Sequence, residues 1–175
     1  AHALALEGLA FPYGDVALGS YRNSPYVVAQ NVGAFLDVPD FLDAQHTIED
    51  AADVDAYLTR MEAYAGELDG ETARVADAAG KGVILPDFLL AKTLKQLEIA
   101  RGGDVADWGI VKSVADRAAK LPTPLDVKAK AASIARDKIA PALERQYAEL
   151  ASQQSRATHD AGAWKLPDGD AYYAW

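Results

Sequence analysis

Three histidines, His2, His46 and His159, are the first residues to weigh for chemistry in this sequence. None belongs to a His-Glu-x-x-His helix, which would set two imidazoles one turn apart on zinc with the glutamate as base. Asp43 and His46 are three residues apart, as are His46 and Glu49. On a helix each pair would share a face. Di-iron bundles need two Glu-x-x-His motifs plus further glutamates, and the sequence has no Glu-x-x-His. No metal ligand set is therefore assigned to this chain. His46 reads either as a hydrogen-bonded structural residue near a helix junction or as a contact to a part of the protein outside this chain.

The other patterns are weaker. A P-loop needs a glycine five residues before its Gly-Lys pair and a hydroxyl residue after it; around Gly80-Lys81 those places hold Val75 and Gly82. Gly-x-Ser-x-Gly is absent, so no nucleophile elbow is indicated. Asp37, Asp40, Asp43, Glu49, Asp50, Asp53 and Asp55 form an acidic stretch. It reads as solvated helix starts favoured by the helix dipole, or as a surface for cations or basic peptides. The strip Trp164 to Tyr173 combines a Pro/Gly turn with aromatics and carboxylates. Its tyrosine hydroxyls could polarise a carbonyl or hold a carboxylate beside a cleft, or its aromatics could simply anchor the turn.

Composition narrows the classes. The chain has 175 residues, 50% hydrophobic and 25% charged, a globular balance rather than a disordered one. Cysteine is absent, which removes disulfides, thiolate catalysis and thiolate zinc sites. The net charge of −9 works against sequence-independent nucleic-acid binding and against an anionic membrane surface. No apolar stretch approaches the roughly 18 residues of a membrane span, and the first residues lack the basic start and apolar run of a signal peptide. The compartment is left open.

The 36 alanines favour helices that approach closely. Strand-like alternation is nearly absent, and the expected fold is all-α, a multi-helix array of long antiparallel helices. Ala1 to Phe11 reads as the tail of a helix that began earlier. Ser24-Pro25 reads as a helix start, as does Val38-Pro39. Apolar positions from Ile48 to Leu68 recur near a 3.6-residue period in a helix that can run on to Ala79. Pro86 opens a helix that Gly102-Gly103 stops, Asp104 caps another through Val114, and Thr123-Pro124 opens the longest, kinked at Pro141. In coarse division, 1–20 is the end of an earlier helix plus a loop, 21–151 the main helices, and 152–175 a Trp/Pro/Gly turn and the start of the next helix. Both ends thus fall within helices. That pattern predicts one helical segment of a larger protein, the alternative being a natural domain with frayed ends.

Specific strings resemble the bacterial family catalogued as domain of unknown function 885: 21–28 (YRNSPYVV), 38–43 (VPDFLD) leading to His46, Ala56-Tyr57-Leu58 with Arg60, Gly82 with Pro86, and 162–173 (GAWKLPDGDAYY). The resemblance implies an all-helical zinc metallopeptidase fold similar to the carboxypeptidase Taq group. It implies a zinc motif, His-Glu followed by Pro-Gly-His, downstream of the Tyr-Tyr string and outside this chain. This chain would then be a non-catalytic scaffold and cleft wall. Zinc would be held by the remainder of the same polypeptide, and a peptide would be the substrate. His46, Tyr172 and Tyr173 are the residues expected to face the cleft, with Arg22 as a weaker anchor for a substrate carboxylate. The alternative is a helical interaction or binding module without catalysis. Leu4, Leu6, Leu9, Phe11 and Trp175 would form an exposed apolar patch that drives self-association.

Overall fold

The structure, a computed structural model, describes residues 25–167 and residue 169. The regular elements among these residues are all helical, and the extended pairing among them is a single isolated bridge between Ala29 and Val32. The all-α reading holds.

Helix α1 (Ala34–Asp40) continues directly into a π turn, Phe41–Gln45. The expected helix after Ser24-Pro25 does not form where it can be described. Residues 25–32 instead make a bend closed by mutual Ala29 and Val32 backbone bonds of 2.9 and 3.1 Å, and Gly33 turns the chain at φ 135°. Pro39 lies inside α1 rather than opening a helix.

Helix α2 (Ala51–Gly80) is the longest element. Asp50 caps it by accepting from the N–H groups of Ala52 and Asp53, at 2.8 and 3.1 Å. Asp53 in turn accepts from Glu49 N–H at 2.9 Å. This reciprocal arrangement satisfies amides that the first turn leaves free. Val54, Tyr57, Leu58, Met61, Tyr64, Leu68 and Val75 form its buried face, as the periodicity predicts. Gly66 and Gly70 do not interrupt it.

Helix α3 (Asp87–Ala100) starts at Pro86, as expected. Asp104 caps only a 3₁₀ turn, Val105–Asp107. The chain is then extended at Trp108, and α4 (Gly109–Ala118) begins afresh. The indole of Trp108 donates to the Gly102 carbonyl at 2.8 Å, which holds this break. The last segment starts at Lys128, not at Thr123: α5 (Lys128–Ile134), a π turn (Ala135–Ile139) and α6 (Ala140–Ser152) are continuous. Pro141 would press on the carbonyl four residues earlier, Asp137, which lies within that π turn.

The directions are mixed. Residues of α3 and α6 pair in opposite order, Glu98 with Tyr147 and Arg101 with Glu144, so these helices are antiparallel. Residues of α2 pair with 128–152 in the same order. Lys130 meets Asp55, Lys138 meets Glu62 at 3.0 Å, and Arg145 meets Asp69 through two 2.8 Å bonds. The two longest helical segments therefore run parallel, unlike the all-antiparallel expectation. The alanines explain how closely they sit: Ala131, Ala132, Ala135 and Ala142 are all buried.

A buried carboxylate joins three of these elements. Glu71 of α2 accepts from Ala34 N–H with both oxygens, at 3.0 and 3.1 Å. Gln146 of α6 donates to it at 3.2 Å. Gly33 supplies no side-chain cap, so Glu71 stands in as the cap of α1 from another helix. Burial raises the Glu71 pKa above 4.5, against the lowering effect of the Ala34 and Gln146 bonds.

Glu71→Ala is expected to lower stability by about 1–3 kcal/mol, because it leaves the Ala34 amide unpartnered and the Gln146 amide with only its 3.5 Å bond to the Leu68 carbonyl. Glu71→Gln keeps an acceptor for Ala34, removes the buried charge and should hold or raise stability at pH 7. A raised native pKa means that the folded state binds the proton more tightly. Its stabilising effect is full below the ordinary pKa and is lost as pH rises through the raised value. The parent chain should therefore gain on Glu71→Gln as pH falls from 7 towards 4.5, read by urea denaturation at several pH values.

Candidate functional site

His46 ends the π turn after α1 and is buried. Its Nε2 lies 3.0 Å from the Asp53 carbonyl and its Nδ1 lies 3.3 Å from an Arg60 guanidinium nitrogen. A carbonyl only accepts and a guanidinium only donates, so the Nε2–H tautomer satisfies both. The Tyr57 ring meets the imidazole edge-on, 5.2 Å between centroids at 84°. Arg117 of α4 donates to the carbonyls of Leu42 and His46. The strings 38–46 and 56–60 thus meet here, at the N-terminal end of α2, and both imidazole nitrogens are engaged within the chain.

The other strings meet at the opposite end of α2, about 40 Å away along the axis at 1.5 Å per residue. Gly82, at φ 88°, turns the chain out of α2. Pro167 packs against it: a Cβ at Gly82 would touch the proline ring at 3.5 Å. Val83 and Leu166 form a small buried cluster with Tyr26, Ala78 and Ala163. Gly169 leaves no room for a side chain, because a Cβ there would lie 2.1 Å from the Ala163 carbonyl oxygen. Arg156 closes the end of α2 by donating to the Ala79 carbonyl at 2.7 Å, where a cation is favoured.

This end carries a polar surface. Asp87 at the start of α3 takes His159 Nδ1–H at 2.9 and 3.2 Å, and the Asp87 amide donates to the Thr158 carbonyl at 2.9 Å. The His159 side chain is 84% exposed, and its Nε2 is left to act as an acceptor. The Phe88 ring lies 5.3 Å from the imidazole. Partial burial lowers the Lys165 pKa, opposed by the charges of Asp160 and Asp87. Trp164 is 58% exposed beside it. The arrangement offers an aromatic face at Phe88 and an oriented imidazole, with Lys165 within electrostatic reach of Asp87.

The sequence reading singled out His46, which lies at the far end of α2 from this surface. Arg22, Tyr172 and Tyr173 lie outside the described residues, as do Leu4, Leu6, Leu9, Phe11 and Trp175. The Asp87–His159 pair was missed. Its partners are 72 positions apart, and no local spacing signals such a pair. Among the described residues no group of three or more His, Asp or Glu is placed to hold a metal ion. Among them, too, no helix is long and apolar enough to cross a membrane.

The two histidines should respond differently to mutation. His46→Ala is expected to cost about 1–3 kcal/mol, since it removes a buried ring packed against Tyr57 and Phe41 together with its two part-buried hydrogen bonds. His159→Ala should change stability by less than about 0.5 kcal/mol, as exposed side-chain pairs contribute little. Urea denaturation of both variants checks this.

A search of the curated proteins gives no match. Among solved structures the chain is similar to a protein from Colwellia psychrerythraea described as a lipoprotein, with a TM-score of 0.81 at 17% sequence identity. The similarity covers 87% of this chain and 27% of that one. At that identity the likeness is one of fold. The helical strings that meet at the two ends of α2 also lie within a family model that matches residues 3–175, and the chain belongs to that family, the bacterial proteins of unknown function DUF885.

Proposed function

We propose that this chain is the helical scaffold and one cleft wall of a zinc-dependent, peptidase-like hydrolase similar to the carboxypeptidase Taq group, and that it supplies no catalytic group itself. The observation that carries the reading is the meeting of segments 25–28, 82–86 and 162–167 at one end of α2. They bring strings of the family resemblance together around an exposed surface of Trp164, Phe88, Lys165 and the Asp87–His159 pair. Such a surface suits an extended peptide: the aromatic faces take its side chains, Lys165 its carboxylate, and His159 Nε2 a backbone N–H.

The described residues do not fit zinc. His46 and His159 stand at opposite ends of α2, and His46 has no free ring nitrogen. In this reading the ion belongs to the remainder of the same polypeptide, and this chain's residues bind and orient the peptide. Self-association of the isolated chain through its apolar ends belongs to the same reading.

Peptide hydrolysis by the polypeptide that carries this chain, with and without a chelator, tests the proposal. Trp164→Ala and Lys165→Ala are expected to raise KM about tenfold with kcat changed less than about twofold, the pattern of lost substrate binding. The isolated chain should neither cleave peptide nor hold stoichiometric zinc. Zinc held by this chain alone would overturn the division of roles. Chelator-independent absence of hydrolysis in the longer polypeptide would favour a binding module without catalysis.

A further inference from the structure

A cavity of about 280 Å³ lies between α1, α2, the end of α3, the start of α4 and the π turn before α6. Its walls include Phe35, Ile139 and Leu143, and no charged residue lines it. Ile99, 72% exposed, marks its mouth. The apolar walls of this half-open hollow lack dispersion partners on their inner side, and a ligand of matching shape supplies them.

Two independent features give the cavity a polar end. The first is the start of α4. Gly109 has no side chain and so lines the cavity with its backbone. Trp108 provides no side-chain cap. The N–H groups of Val111 and Lys112 both return to the Trp108 carbonyl, while those of Gly109 and Ile110 have no partner among the described residues. The second is Tyr64, which also lines the cavity and is only 3% exposed. Its hydroxyl has no hydrogen-bond partner among the described residues. Burial, with the charge of Glu71 nearby, raises its pKa, so the hydroxyl keeps its proton. Ile110 is buried while Gly109 is exposed at the edge of the cavity, and a donor shielded from water gains by finding a partner. Three donors therefore border one apolar space, with no side-chain carboxylate among its walls.

We propose that this cavity binds a small apolar molecule carrying a neutral carbonyl oxygen, the oxygen accepting from Tyr64 and from the first amides of α4. A helix N-terminus alone would favour an anion. Here no cationic side chain lines the walls, Glu71 lies behind Tyr64, and desolvating a carboxylate is expensive. The balance selects a ketone, ester or amide over a carboxylate.

Three probes of similar shape separate the alternatives: 4-phenyl-2-butanone, 3-phenylpropanoate and propylbenzene. The ketone is expected to bind with a Kd of about 1 mM or tighter and to shift the amide NMR signals of Gly109 and Ile110. Tyr64→Phe keeps the ring and should weaken ketone binding by about three- to tenfold, with propylbenzene unaffected. Ala100→Leu, at the half-buried end of α3, should fill the space and abolish binding of both, with an unchanged circular dichroism spectrum confirming the fold. Tighter binding of 3-phenylpropanoate than of the ketone would overturn the proposal. So would equal ketone affinity in Tyr64→Phe, no shift at Gly109 and Ile110, or no binding by any probe.

Discussion

The contact on which the arrangement of the helices turns is the carboxylate of Glu71. It is buried, which is unfavourable for a charge unless the protein supplies its own donors. Two elements supply them: the first amide of α1 and the amide group of Gln146 on α6. A helix start and a parallel neighbour are thereby fixed to one point on α2. The arrangement is not fully satisfied, since the Gln146 oxygen has no partner. That leftover acceptor is the mark of a geometry set by the carboxylate rather than by the amide.

Around that point the packing of α2 on residues 128–152 follows from two sequence features. The buried alanines allow close approach, and the flanking ion pairs Asp55–Lys130, Glu62–Lys138 and Asp69–Arg145 run in step along both helices. Exposed pairs of this kind contribute little energy each. In series they favour one direction and one register over the alternatives.

The long helix was legible from its 3.6-residue apolar period and the glycines Gly80 and Gly82 at its end, while its Asp50 cap showed only in the fold. Its parallel neighbour was not legible as parallel, because direction is set by side-chain pairs distant in sequence. Ser24-Pro25 misled for a related reason. A cap and a proline permit a helix start, but they do not supply an apolar face to bury, and Gly33 with Glu71 provides a better one nine residues later. Trp108 broke the helix expected from Asp104 because its indole bonds backward to Gly102. At the candidate site, the turn at Gly162 to Pro167 was visible in its glycine and proline. The Asp87–His159 pair was not, since only the fold brings its members together.

The wide turn at Ala135–Ile139 has a consequence for phase. Between Ala131 and Leu150, both buried against the core, an uninterrupted α-helix would drift by roughly 100° at 3.6 residues per turn. A single π turn absorbs one extra residue and takes up that angle. The same stripe of the helix therefore looks towards α2 over its whole length, and no supercoil is needed to keep it there.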